Sequence, residues 1–307
     1  MGNSNQFSPN PELALQVIGL TKSYGSVRAL QGIDLEVKLG EIFGFLGPNG
    51  AGKTTTIRCL LNMIRPDGGQ AFVLGLDPQK EPVPVQANTG YLPGEMQFFG
   101  NMTVERQLRF FNDMRGSQAE WRSVSQMAEY LDLALTPQIK NLSKGNKQKL
   151  GIIQALMHRP KLLLLDEPTS GLDPLMQQKV LYLLRQANSD GTTVFFSSHI
   201  MSEVEEVAGR VAIIRSGKIV EVAETGFLTH HSVNRLTIRL KKPIDINRLS
   251  DIPDVEILSQ VNPTTIKLQV TGDMEQLIRN LAPLPVLDLE TERVSLEEVF
   301  LSYYDKQ

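Results

Sequence analysis

The chain has 307 residues, 41% of them hydrophobic and 21% charged, which is enough apolar content for packed cores and too little charge for a disordered polyelectrolyte. Of its 31 basic and 34 acidic residues, nine and twelve lie in 231–307, so 1–230 hold 22 of each, are neutral, and show no broad electrostatic footprint for nucleic acid. A lone Cys59 excludes an internal disulfide, and apolar runs such as Leu162–Leu165 fall far short of the roughly 20 residues that cross a bilayer.

Residues 1–12 read as a flexible tail without the basic and apolar regions of a signal peptide, and a soluble, cytosolic chain is expected. Segments 13–20, 33–38 and 41–46 have the pattern of short strands, with turns at Gly25, Gly32 and Gly40. After Gly52, Ile57, Leu60, Leu61 and Ile64 recur at helical spacing until Arg65-Pro66-Asp67-Gly68-Gly69 stops the helix, and 70–75 return to a strand. Residues 103–135 read as helical, and a further helix is expected from Ser143 to just before Pro160. The runs Leu162–Leu165 and Val194–Ser197 suit buried parallel strands. Strands alternating with helices predict an α/β fold around a parallel sheet.

Near residue 230 the composition changes, since 23 of the 24 glycines precede it. Alternation at Leu236, Ile238 and Leu240, at Ile266, Leu268 and Val270, and at Leu287 and Leu289 gives three strands. Short helices are expected at 244–250 and 274–281. That order resembles a split βαβ, ferredoxin-like α+β unit of which three strands are visible. A closing helix is expected after Ser295, with Glu298 completing a capping box and Leu296, Val299, Phe300 and Tyr303 on one apolar stripe.

The front carries the chemistry. Gly47-Pro48-Asn49-Gly50-Ala51-Gly52-Lys53-Thr54, followed by Thr55, matches the pattern G-x-x-x-x-G-K-[ST] between a strand and a helix. Glycines let consecutive backbone N–H groups close on phosphate oxygens, and the helix N-terminus adds its positive dipole end. Lys53 supplies a charge for the β- and γ-phosphates, and the Thr54 hydroxyl is a Mg²⁺ ligand. The apolar strand 162–165 ends in Asp166-Glu167, which predicts Asp166 in the Mg²⁺ shell and Glu167 facing the γ-phosphate, where it orients an attacking water.

These motifs, with four others in order, resemble the ATP-binding subunits of ABC transporters over about 13–225. Leu142-Ser143-Lys144-Gly145-Asn146 resembles the family's signature sequence, Ser170-Gly171-Leu172-Asp173 its D-loop, His199 its switch histidine, and Tyr24 the aromatic residue that stacks on adenine. The resemblance implies a P-loop ATPase domain over 13–228 with a parallel-sheet core, an antiparallel β subdomain and a helical subdomain at about 95–160, followed by an accessory domain at 231–307. It implies catalytic roles for Lys53, Glu167 and His199, and ATP contacts from Tyr24, the P-loop, Ser143, Gly145 and Asp173.

Two motifs depart from the family. The signature has Lys144 and Asn146 where Gly and Gln are common, and the Q-loop glutamine falls at Gly94, leaving Glu95 or Gln97 to reach the metal. The closing Ser295–Phe300 segment resembles ATPases of ABC-2-type, daunorubicin-resistance-type exporters. The resemblance implies a homodimer that sandwiches two ATP with Mg²⁺, held on the inner face of the cell membrane by a separately encoded permease that contacts about 95–140. A soluble ABC ATPase of translation or DNA repair is the rival reading. Those proteins resemble tandem cassettes or carry long coiled-coil insertions and basic patches, and this sequence has neither.

Overall fold

Two twelve-residue strands, longer than the sequence pattern implies, open the chain. β1 (Leu13–Tyr24) and β2 (Val27–Lys38) form a hairpin, and β4 (Gly68–Val73) joins the other edge of β1 to give an antiparallel order β2-β1-β4. Gly25, at φ +58°, makes the hairpin turn. Gly32 does not turn the chain: at φ +86° it sits inside β2, opposite the register shift between Leu20 and Thr21. A glycine in a strand often marks such a bulge. The computed structural model describes residues 8–225, 234–244, 246, 249, 252–270 and 274–293, in two units, 1–223 and 224–307.

The first unit's main sheet has the order β5-β6-β7-β3-β8-β9, with β3 (Ile42–Leu46), β5 (Thr89–Leu92), β6 (Leu162–Asp166), β7 (Thr193–Ser198), β8 (Arg210–Arg215) and β9 (Lys218–Glu224). Pairing is parallel from β5 through β6, β7 and β3 to β8. Every residue of β3, β6 and β7 is buried, which is why these strands read as continuous apolar runs. Phe195 of β7 stacks on Phe43 of β3 at 6.0 Å and 11° and lies 5.3 Å from the Phe45 ring, with all three rings inaccessible to solvent.

Helices α1 (Lys53–Leu60), α2 (Pro82–Ala87), α3 (Val104–Met114), α4 (Trp121–Tyr130), α5 (Lys144–Leu156), α6 (Pro174–Ser189) and α7 (Met201–Val207) complete this unit. The helical stretch expected over 103–135 is two helices. Gly116 and Ser117 turn left-handed at φ +76° and +55°, and the Asn112 amide bonds the Ala119 backbone twice at 2.9 Å, a local alternative to helix continuation. No described helix is long and apolar enough to cross a membrane.

The second unit contains β10 (Asn234–Leu240), β11 (Val255–Asn262), β12 (Thr265–Val270), α8 (Glu275–Leu281) and β13 (Val286–Arg293), in an antiparallel order β11-β12-β10-β13. This is the strand order of a split βαβ sheet. The fourth strand is β11, illegible in the sequence because only Val255 and Ile257 turn toward the core while its second half is exposed. The expected helix over 244–250 lies largely outside the described residues, and the closing helix from Ser295 lies wholly outside them.

Just past α5, His158 is 8% exposed and neither ring nitrogen has a hydrogen-bond partner among the described residues. Burial, helped by the nearby Arg115 charge, pushes its pKa down to about 4. The Thr89 and Gln154 backbones oppose this weakly without meeting hydrogen-bond geometry. A histidine neutral in the fold and ordinary when unfolded contributes its full share of stability above about pH 6.5, and loses it as the unfolded chain takes up protons on the way down to about pH 4. The loss expected is about 3 kcal/mol. Urea unfolding of native chain and His158→Gln between pH 7.5 and 4.5 should show the steeper slope in the native chain; parallel slopes would remove His158 as the source.

Candidate active site

The carboxyl ends of parallel strands are where α/β sheets place ligands, and β3, β6 and β7 deliver the principal side chains to one such edge. The loop leaving β3 has no room for a side chain at two of its glycines. A Cβ on Gly47 would stand 2.4 Å from the Ile214 carbonyl oxygen, and Gly52, at φ +116°, would place one 2.7 Å from the Ala29 carbonyl oxygen. Gly217 N–H donates to the Ala51 carbonyl at 2.9 Å, fixing the loop against the β8–β9 turn. Lys53 opens α1 and is 5% exposed; its Nζ donates to the carbonyls of Gly47 (2.7 Å) and Pro48 (3.2 Å) and lies 3.5 Å from Glu167 Oε1.

Asp166 is 2% exposed at the end of β6. Its Oδ2 accepts from the Thr54 hydroxyl at 2.6 Å and its Oδ1 from the Ser197 hydroxyl at 2.6 Å. Glu167 follows with φ +51°, a left-handed conformation that a non-glycine residue rarely holds unaided. Its N–H donates to the Ser197 carbonyl (3.2 Å) and hydroxyl (3.1 Å). Gln148, on α5 and 2% exposed, donates to the Glu167 and Pro168 carbonyls at 3.0 and 2.9 Å. Glu167 Oε1 thus meets Lys53 on one side and His199 Nδ1, at 3.2 Å, on the other. Lys53, Thr54, Asp166, Glu167 and His199 form one connected cluster.

Other expected site residues stand apart from it. Ser143 caps α5, its hydroxyl accepting from Asn146 N–H at 3.2 Å, and a Cβ on Gly145 would lie 3.1 Å from the Gly171 carbonyl oxygen. Asp173 caps α6, one carboxylate oxygen accepting from Met176 N–H at 3.0 Å. Among the described residues no hydrogen bond or ion pair links Ser143, Gly145 or Asp173 to the P-loop. Tyr24 ends β1, 47% exposed, with the Lys22 ammonium 5.7 Å from its ring centroid. Gly94, not Glu95 or Gln97, borders Asp166: a Cβ on Gly94 would lie 3.1 Å from Asp166 Oδ2. Glu95 and Gln97 are exposed and make no hydrogen bond with the cluster.

Sequence reading missed Ser197, Gln148, Thr169, Ser198 and Glu203, the polar residues that hold the acidic pair and the histidine loop. Their signal was available only in part: Ser197 and Ser198 are hydroxyls ending an apolar run, and Gln148 follows the signature motif.

A glycine cradle at a helix N-terminus, a buried lysine, a hydroxyl paired with a carboxylate and a second carboxylate beside a histidine define a P-loop nucleotide-binding α/β protein. A family model described as ABC transporter matches residues 30–170. The chain is 34% identical to the daunorubicin/doxorubicin resistance ATP-binding protein DrrA of Streptomyces peucetius over 308 residues, covering 95% of this chain and 92% of that protein. It is 36% identical over 227 residues to the probable multidrug ABC transporter ATP-binding protein YbhF of Escherichia coli, covering 73% of this chain and spanning only 39% of that protein's length. A solved structure of an ATP-binding subunit of an ABC transporter superposes with a TM-score of 0.65 at 26% identity, over 71% of this chain and 92% of its own. The chain belongs to the ATP-binding proteins of ABC transporters.

Proposed function

We propose that this chain binds and hydrolyses ATP as the energy-supplying subunit of an ABC-2-type exporter, acting as a homodimer on a separately encoded membrane subunit. The observation that carries this reading is the cluster at the sheet edge, where Lys53, Thr54, Asp166, Glu167 and His199 lie in one chain of contacts. The donor set suits Mg²⁺: Thr54 Oγ1 and Asp166 Oδ2 are hard oxygen donors 2.6 Å apart, and Mg²⁺ is usually held by one or two carboxylates together with substrate phosphates. Bound there, the ion would neutralise charge on the β- and γ-phosphates. Lys53 binds the same phosphates, Glu167 orients the water, and His199 holds the γ-phosphate side.

Ser143 and Gly145 belong to a phosphate-binding element that does not reach its own P-loop, which supports completion of each site by a second copy. The membrane partner fits the helical insertion. Phe99 and Met114 there are 53% and 68% exposed, and Phe99 meets Phe110 edge-on at 5.7 Å, which in turn meets Phe111. Phe111 also borders a cavity of about 180 Å³ with a mixed lining that includes Leu61, Met63, Arg115 and Gln154. Peripheral attachment to a membrane follows from that contact.

Purified chain given ATP and Mg²⁺ should release phosphate, and tagged chain drawn from detergent-solubilised membranes should bring a multi-span protein with it. Recovery of ribosomes or DNA without such a protein would favour the soluble ATPase alternative.

A further inference from the structure

Glu167 and His199 stand on loops leaving neighbouring strands, and something must hold the two loops in register. Glu203, in the first turn of α7 and 5% exposed, touches both. Its Oε1 accepts from the Thr169 hydroxyl, two residues past Glu167, and its Oε2 from the Ser198 hydroxyl at 2.8 Å, one residue before His199. Ser198 Oγ also accepts from Ile200 N–H at 2.9 Å, closing the turn that presents His199. The helix carrying Glu203 is seated without slack: a Cβ on Gly44 of β3 would stand 2.5 Å from Val204 Cγ1, and Val204 is wholly buried.

A buried carboxylate is costly unless its oxygens find donors. Here both do: one donor lies in the loop that carries Glu167 and the other ends β7 next to His199, while no cation pairs with Glu203 among the described residues. An acid that served stability alone had no need to bridge these two segments. We propose that Glu203 is a positioning residue for ATP hydrolysis, its two oxygens tying the Glu167 loop to the His199 loop so that water and γ-phosphate are met together. This rests on the roles given above to Glu167 and His199.

The test compares full-length native chain with Glu203→Gln, Glu203→Ala, Thr169→Val and the Thr169→Val/Glu203→Gln double variant. Glutamine keeps the shape but accepts at only one of its two terminal atoms, so one tether fails while the fold persists. For Glu203→Gln, kcat should fall about tenfold or more while the Kd for ATP stays within about twofold, because misplacement affects the reacting geometry more than phosphate binding. Two changes to one tether should not multiply, and the double variant should lie within about twofold of the worse single one. In the nucleotide-free chain, amide hydrogen exchange at Ile200 and Ser170 should quicken together in both Glu203 variants.

An unchanged kcat with native exchange, independent multiplicative losses, or a kcat loss matched by equal losses of ATP affinity and Tm would overturn the proposal. If the native chain itself hydrolyses no ATP, the catalytic reading of the whole site fails. The exchange result still judges the tether: quickening at both amides supports it, and native rates in either loop defeat it.

Discussion

Replacing Glu167 with Gln should leave ATP binding within about threefold of native and cut hydrolysis by about 10²- to 10⁴-fold, the range that a positioned general base supplies. The side chain keeps its length, so the contacts with Lys53 and His199 lose charge rather than reach. Glu167 is partly exposed, so its ion pair with Lys53 is screened and the fold should lose no more than about 1 kcal/mol. What disappears is the carboxylate that aligns water for in-line attack. The trapped state should be an ATP-bound dimer, visible as a doubled mass by size-exclusion chromatography with light scattering. Phosphate release at the native rate would remove Glu167 from the water-orienting role. Loss of ATP binding together with turnover would mean that the pairing with Lys53 matters chiefly to the cradle.

Phe195→Ala should be the most damaging single core change, costing about 3–5 kcal/mol. Its ring is stacked on Phe43 and tilted against Phe45, both on the adjacent strand β3, and is shut off from solvent. Deleting it removes burial and aromatic contact together and leaves a cavity between the strands that carry the P-loop and the histidine loop. For a unit of this size the expected drop in Tm is about 6–20 °C, measurable by calorimetry. A change under about 1 kcal/mol would show that the sheet there closes around the gap. Because Ser197 and Ser198 follow Phe195 on the same strand, ATP turnover should fall even where the variant remains folded.

Much of this was legible from residue order because phosphate chemistry leaves few choices of residue type. Glycine is forced at 47 and 52 by backbone and side-chain crowding within 3 Å, and an acid ending an apolar strand next to a P-loop has one obvious use. The parallel strands were legible for a related reason: buried on both faces, they are built around short apolar runs such as Leu162–Leu165 in β6. What escaped were features set by distant pairing. Gly32 reads as a turn, and only the register of β1 against β2 makes it a bulge. The helix break after Met114 depends on the Asn112 side chain reaching seven residues forward. β11 alternates poorly because half of it faces solvent. Glu203 carries no local signal, since nothing near it in the sequence announces that Thr169, 34 residues earlier, waits for it.

The separation of Ser143 and Gly145 from the P-loop of their own chain also bears on inheritance. In the proposed dimer each working site is assembled from two gene products, so a lesson drawn from one defective allele depends on its companion. A subunit crippled at Lys53 and another crippled at Ser143 would, when mixed, restore one complete site of the two. Two subunits crippled alike would restore none. The functional unit is therefore the interface and not the polypeptide.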